Sequence, residues 1–265
     1  MGKISAQAKE QYTEKLKEFK SVLEEHRQKE SDLNAELRND RDRIGLLSIE
    51  AADVNLNIVS YLVLMNNLSV ALLGIKNDAY LNEARKTCYK SIINLENAVS
   101  NYIDVPFSEY EGKLEKIKSI DQAARWKLVC KLGFSISSVK DAFGENTKWK
   151  WSFVEIEGRF AVVAKNLLDL KTLMAGLDPR ADFYQERFAH LKLVKRLLQN
   201  SADGYREKYE LSTLRIDDFK LAINYLGGLR RLNALVGEPE EANDLKKKID
   251  IWKSKMDQDI KKKES

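Results

Sequence analysis

The sequence predicts an all-α protein, and three observations lead to this fold class. Its 265 residues include only 3 Pro and 12 Gly, which are too few for the many turns of a β-sandwich or barrel. Charged residues make up 32% of the chain, and many are Lys and Glu, which favour helices. Apolar residues recur at steps of three and four, without a convincing strand-like alternation. We therefore expect an elongated antiparallel helical bundle or an α-solenoid of eight to nine helices.

A heptad-like apolar stripe runs along the N-terminal part of the chain and predicts a long first helix. Steps of four and three residues place its members on one face, as in a coiled-coil seam. The stripe includes Leu16, Phe19, Leu23, Leu33 and Leu37. The chain contains no Pro before Pro106, so either one helix spans about residues 4–76 or a turn at Asn39-Asp40 divides it.

Polarity separates this stretch into an arm and a core helix. Up to residue 43 only the stripe is apolar, whereas beyond residue 46 apolar residues cover most of the helix circumference. We therefore expect a helical arm over residues 1–43 and a helical bundle over residues 44–262, which can be subdivided near residues 144–148. A basic tail end over residues 263–265 completes the expected organisation.

Turn residues and periodicity predict the later helices. The expected helices cover residues 79–102, 107–118, 121–143, 149–174, 180–210 and 212–235, followed by a last helix after Gly237-Glu238-Pro239. Asn77-Asp78 would cap the first of them, and Gly144 would end the third. The apolar periodicity places Cys88, Tyr102 and Met174 on inward faces.

Two stretches have a weak similarity to tetratricopeptide repeats. In one of them, Ala84, Cys88 and Ser91 ahead of Pro106 are candidate small packing positions. Leu226-Gly227, followed by residues 237–242, resembles the small-residue turn between the two helices of such a repeat. The spacing from Gly227 to Gly237 is longer than in the usual motif, and the long first helices do not divide into 34-residue units. We therefore assign no family from the sequence.

The sequence offers little material for catalysis or cofactor binding. It contains two His and two Cys, and it lacks both common Gly-rich phosphate-binding motifs. Glu186 and His190 are four residues apart, which we interpret as a pair on a helix face. Cys130 is interpreted as a buried, inert thiol. We expect a protein that is not an enzyme and that uses no cofactor, metal ion or small-molecule substrate.

The predicted location is the cytoplasm. The N-terminus is polar and lacks the apolar segment of a signal peptide. The most apolar run, residues 58–73, is shorter than the ~20 residues of a membrane-spanning helix and is interrupted by Asn66 and Asn67. We interpret it as part of a core helix, in which the amides of Asn55, Asn57, Asn66 and Asn67 fix the helix register or, alternatively, line a ligand cavity.

A second candidate contact site lies at the start of a later helix, where Lys148-Trp149-Lys150-Trp151 alternates cations and indoles. The interpretation that we favour makes Trp149 the first core residue of that helix and lets Trp151 cover a neighbouring helix. A protein interface is the next alternative, followed by contact with lipid or nucleic acid.

The function that the sequence favours is a non-enzymatic helical scaffold or adaptor that acts through protein–protein contacts. Its N-terminal stripe would pair with a helix of the same chain, of a second copy in a homodimer, or of a partner. A peripheral membrane-binding bundle with basic ends on anionic lipid is the alternative. A nucleic-acid adaptor comes third, because 45 basic and 41 acidic residues are mixed along the chain rather than concentrated in a basic patch.

Overall fold

The computed structural model describes residues 5–145 and 147–264, and helices make up 82% of it. No strand occurs in this part of the chain, so the all-α prediction is confirmed. Within it lie ten α-helices: α1 Ala6–Asn39, α2 Ile44–Leu73, α3 Asp78–Ala98, α4 Glu111–Lys116, α5 Gln122–Phe143, α6 Lys150–Asn166, α7 Leu173–Gly176, α8 Tyr184–Lys208, α9 Ile216–Leu235 and α10 Pro239–Glu264. A 3₁₀ turn at Phe107–Glu109 and a π turn at Tyr209–Thr213 join some of them.

Parts of the predicted domain ends lie outside the described residues. These are residues 1–4 of the predicted arm, Asn146 in the predicted subdivision, and Ser265 of the predicted tail together with the side chains at positions 263 and 264. Contacts between residues divide the chain into two compact units. The first unit comprises Met1–Ala98 and Lys127–Thr147, and the second comprises Val99–Trp126 and Lys148–Ser265.

A turn at Asp40 separates α1 from α2. Asp40 leaves the helical conformation, with φ −115° and ψ 90°. Its Oδ1 atom accepts hydrogen bonds from the backbone N–H groups of Asp42 and Arg43, at 3.2 and 3.1 Å. Asp side chains compete with the helix for backbone donors in this way. Of the two arrangements that the sequence allows, the structure therefore has two helices.

α2 is the central helix of the first unit. Both α1 and α3 pack on it, and Lys131 of α5 forms an ion pair with Asp53 of α2 at 2.5 Å. More than half of its residues are buried. By length and composition, α2 is long and apolar enough to cross a membrane, and no other described helix is. The same composition is typical of a core helix in a soluble protein, so this property alone is weak support for membrane insertion.

The amides of α2 fix its position against α3. Asn66 Oδ1 accepts a hydrogen bond from the backbone N–H of Asn77 at 2.9 Å, and Asn77 Oδ1 caps α3 by accepting from Tyr80 N at 3.1 Å. Asn55 Oδ1 accepts from Asn94 Nδ2 at 3.5 Å. Buried amides with few possible partners favour one helix register over others. These contacts favour the register interpretation for Asn55 and Asn66, whereas Asn67 lines an open groove that is described below.

In the second unit, each long helix from α6 onward packs on the next long helix along the chain, with the four-residue α7 lying between α6 and α8 in sequence. α6 packs on α8, α8 on α9, and α9 on α10. The backbone of residues 103–104 lies close to α9 at Gly227-Gly228. A Cβ atom at Gly228 would lie 2.8 Å from the Ile103 carbonyl oxygen, and one at Gly227 would collide with the Asp104 carboxylate. Gly227 and Gly228 lie inside α9, as the predicted helix over residues 212–235 requires, and their missing side chains permit this close approach.

Two predicted helix ends, at residues 102 and 174, are wrong, because side-chain hydrogen bonds hold the following backbone in a non-helical conformation. α3 ends at Ala98, and Tyr102 is exposed. Asn166 Nδ2 donates to the carbonyl oxygens of Ser100 and Tyr102 at 3.0 and 3.2 Å, which holds this segment outside a helix.

α6 ends at Asn166, and Asp169 then accepts hydrogen bonds from Lys171 and Thr172 in a turn. Met174, predicted inward, is exposed in the short α7.

Candidate functional site

The predicted N-terminal stripe faces a helix of the same chain. Leu23 and Leu33 are buried where α1 packs on α2, whereas the remaining members of the stripe, Leu16, Phe19 and Leu37, are partly exposed. The Phe19 ring meets Tyr61 of α2 edge to face, with 6.1 Å between centroids. Arg27 and Glu30 of α1 form ion pairs with α3. The sequence allows a helix of the same chain, of a second copy or of another protein as the partner of the stripe. In the structure, α2 of the same chain packs against the stripe at Leu23 and Leu33.

The Lys-Trp segment forms the start of α6. Trp149 precedes the first helical residue and is partly exposed, as is Trp151, so Phe153 is the first buried residue of the helix. The Lys148 ammonium lies over the Trp149 ring at 5.4 Å, and that of Lys150 over the Trp151 ring at 4.7 Å. Lys150 also pairs with Glu207 at 2.7 Å. The prediction that Trp149 is the first core residue of the helix is therefore wrong. A lysine ammonium group lies over each of the two indole rings.

The predicted helix-face pair of His190 and Glu186 is wrong. His190 is completely buried, and its Nε2 atom lies 2.9 Å from the carbonyl oxygen of Ala164. Its Nδ1 atom lies 3.1 Å from the amide nitrogen of Gln122. A carbonyl oxygen only accepts, so Nε2 donates to Ala164 and Nδ1 accepts from Gln122. Burial lowers the pKa of His190 to about 4, so this histidine is a neutral core residue.

The two cysteines lie in different environments. Cys88 is buried, as its predicted inward position requires, and burial raises the pKa of its thiol to about 12. Cys130 is exposed, so its interpretation as a buried thiol is wrong. It lies next to the inward-facing Val129 on α5 and so points away from that face. Over residues 5–145 and 147–264, no group of three or more His, Cys, Asp or Glu side chains could hold a metal ion.

An open apolar groove lies between α2 and α5 in the first unit, and we call it the α2–α5 groove. Its volume is about 530 Å³. The apolar walls are formed by Val59, Val63, Leu64, Phe134 and Ala142. Phe134 is 71% exposed and Leu64 is 45% exposed, which is unusual for such large apolar side chains. Exposed apolar residues that adjoin one another are typical of interaction sites.

The electrostatics of the α2–α5 groove are set by a lack of charge on α2. Residues 54–75 contain no Asp, Glu, Lys, Arg or His. No charged side chain of this stretch therefore borders the groove. The charged lining residue is Asp141 of α5, whose Oδ2 accepts from Ser137 Oγ at 3.3 Å. Ser135 Oγ is buried without a hydrogen-bond partner. The groove therefore combines an apolar floor with a single negative side chain.

The sequence reasoning missed this groove, although α5 contains a local signal for it. Leu132 and Ile136 are buried, and Phe134 lies between them on the opposite helix face. A phenylalanine placed outward by the helical period is a candidate contact residue. The wall that α2 contributes could not be found in this way, because nearly the whole circumference of α2 is apolar.

Comparison with known proteins places the chain in a family. No curated protein matches its sequence, and no solved structure matches its fold. A sequence model of the TP0443 family matches residues 8–260, which is nearly the whole chain. The chain therefore belongs to the TP0443 family.

Proposed function

We propose that this protein is a non-enzymatic helical adaptor that binds a protein partner in the α2–α5 groove. The observation that carries the proposal is the exposure of Phe134 and Leu64 on the two walls of one groove. Fully burying such a side chain contributes roughly 1.5–3 kcal/mol, so two anchors supply a substantial part of a modest binding free energy. The N-terminal stripe is a weaker candidate, because α2 already covers two of its leucines.

The occupant that the groove favours is an amphipathic helix of the partner. A groove between two helices accepts apolar side chains from one face of a third helix, at spacings of three and four residues. Asp141 lies in the groove wall and would attract a lysine or arginine that borders this apolar face. The uncharged wall of α2 imposes no competing charge.

The test begins with a photo-crosslinking phenylalanine analogue at position 134 of the full chain, in cells. The same analogue at position 188 is the matched control, because Phe188 is also an exposed aromatic residue, on α8. We expect a discrete protein adduct at position 134 that is absent at position 188. The crosslinked segment of that partner is then synthesised as a peptide and titrated against the purified protein.

The titration distinguishes groove binding from other contacts. We expect the peptide to be helical when bound, and we expect F134S to weaken binding at least tenfold, while F188S leaves the affinity unchanged. Equal binding to wild type and F134S would contradict the proposal. So would sedimentation of wild type, but not F134S, with vesicles containing 30% phosphatidylserine at both low and high salt, because the groove would then contact lipid.

A further inference from the structure

A second cavity lies within the second unit, and we call it the Lys165 pocket. It is small, about 40 Å³, and its walls are mostly apolar. Three polar side chains also line it: Tyr110, Lys165 and Arg231. A volume of this size holds a few water molecules or a ligand of a few heavy atoms. The chemistry of the pocket therefore depends on these three groups.

Lys165 is a buried cation without a carboxylate partner. It lies in the last turn of α6 and is only 4% exposed. Its Nζ atom lies 5.1 Å from the centroid of the Tyr110 ring, and it forms no ion pair with any residue of the described chain. Buried lysines are rarely left in this state, because desolvation of an ammonium group is costly.

Tyr110 supplies an unsatisfied polar atom beside this cation. It is 1% exposed, and its hydroxyl oxygen is buried without a hydrogen-bond partner. Burial raises the pKa of this hydroxyl, so it remains protonated and able to donate. An orphaned buried hydroxyl has a free-energy cost that a ligand oxygen would remove.

Arg231 already has a carboxylate partner, which leaves Lys165 as the cation of the pocket without an ion pair. Arg231 Nε donates to Asp104 Oδ1 at 2.8 Å. Asp104 reaches this position because Gly227 has no side chain to obstruct it. Asp104 is not a lining residue of the pocket. The pocket therefore presents one unpaired positive charge and one free hydroxyl donor.

We propose that the Lys165 pocket binds a small monocarboxylate, with its oxygens at the Lys165 ammonium and the Tyr110 hydroxyl. A single negative charge matches the single unpaired cation, and two carboxylate oxygens match two donors. The apolar walls, which include Val105, Leu170 and Leu232, suit a short aliphatic tail of two or three carbon atoms, in keeping with the small volume. A phosphate dianion fits less well, because its extra charge would be desolvated without a partner.

The protonation behaviour of Lys165 offers a direct readout of the bound anion. Burial lowers the pKa of Lys165 to about 8, Asp104 opposes this shift, and Arg231 adds to it. A carboxylate beside the ammonium group would stabilise the charged form and raise this pKa. The lysine therefore reports on occupancy independently of any activity.

The experiment titrates the full-length protein with sodium propionate at constant ionic strength, with chloride as the balancing anion. NMR of ¹³C-labelled lysine side chains follows Lys165, and a thermal melt follows stability. We expect saturable binding, a rise of one unit or more in the Lys165 pKa, and a higher melting temperature. Y110F should bind propionate at least tenfold more weakly by both readouts. K165M, in which only the thermal melt reports binding, should also bind at least tenfold more weakly, whereas K171M, which alters an exposed lysine of the same unit, should bind as wild type does.

Several outcomes would overturn the proposal. A response of K165M or Y110F equal to wild type, or a propionate response no larger than that to chloride, would show a bulk salt effect. Binding of neutral propionamide with equal affinity would remove the charge requirement. Tighter binding of inorganic phosphate than of propionate would exclude a monocarboxylate site. The variants K165M and Y110F are checked for native helicity by circular dichroism, and K165R serves as a charged replacement if K165M fails to fold.

Discussion

Among single residues, His190 has an environment that makes stability depend on pH. Its native pKa of about 4 lies below the unfolded value of about 6.5. Between these values the unfolded chain binds the proton and the native protein does not, so the free energy of unfolding falls as the pH decreases. Between pH 7.5 and pH 5, this residue should lower the free energy of unfolding by about 2 kcal/mol.

Urea denaturation at the two pH values checks this effect. In H190Q, the difference in the free energy of unfolding between the two pH values should be smaller than in wild type by about 2 kcal/mol, because the variant has no imidazole at this position to protonate. H26Q is the matched control, since His26 is the other histidine of the chain and is only partly buried. An H190Q variant with the full wild-type pH dependence would show that His190 does not contribute it.

Lys165 should destabilise the folded protein in the absence of a ligand. Its native pKa of about 8 is below the unfolded value, so at pH 7 both states are charged and the native state bears the desolvation cost. K165M should therefore raise the free energy of unfolding by ~1–2 kcal/mol at pH 7. This gain should shrink as the pH rises from 8 to 10.5, since the wild-type lysine then loses its charge. Denaturation of both proteins at pH 7 and pH 10 measures the difference, and a destabilised K165M at pH 7 would contradict it.

At the scale of helices, the stripe of α1 should act mainly through its contact with α2. L23A removes a buried side chain and should cost ~2–4 kcal/mol, whereas L16A, at a partly exposed position of the same stripe, should cost less than half as much. Thermal and urea denaturation measure both. Sedimentation should show the same molecular weight for wild type and L23A. If L23A instead reduces self-association without lowering the melting temperature, the stripe pairs with a second copy.

The close approach of residues 103–104 to α9 should make Gly228 difficult to replace. G228A would place a Cβ atom 2.8 Å from the Ile103 carbonyl oxygen, and we expect a loss of ~1–3 kcal/mol despite the better helix propensity of alanine. G204A is the matched control, because its Cβ atom would make an ordinary 3.5 Å contact with Val154. It should be neutral or slightly stabilising. Urea denaturation of both variants measures these changes, and equal stability of the two would contradict the clash.

The sequence predicts those features of the helices that local residues determine. The end of α5 at Phe143, the cap of α3 at Asn77 and the break at Asn39-Asp40 all depend on residues within one or two turns. The end of α3 depends instead on the Asn166 amide, 66 residues from Ser100, and the burial of His190 depends on Gln122. The α2–α5 groove requires two helices that no local pattern joins. Local periodicity therefore predicts helices but not the surfaces that form between them.

For the whole molecule, the far-ultraviolet circular dichroism spectrum should be that of a protein about four-fifths helical, since 82% of the described residues are helical. The helical signal should dominate the spectrum at pH 7. The spectrum of the full chain at several concentrations tests this directly. A substantial strand contribution at any concentration would contradict the fold.

The division of the first unit along the chain has a consequence for synthesis on the ribosome. Its helices α1 to α3 end at Ala98, but the part of α5 that belongs to this unit begins only after residues 99–126 have been made. The 45 residues from Val99 to Phe143 take roughly 2–9 s at translation rates of about 5–20 residues per second. During this interval α2, whose last 20 residues at 54–73 are uncharged, lacks the helix that packs beside it in the groove. The nascent chain thus presents a hydrophobic segment to chaperones and to the membrane-insertion machinery before the first unit can close.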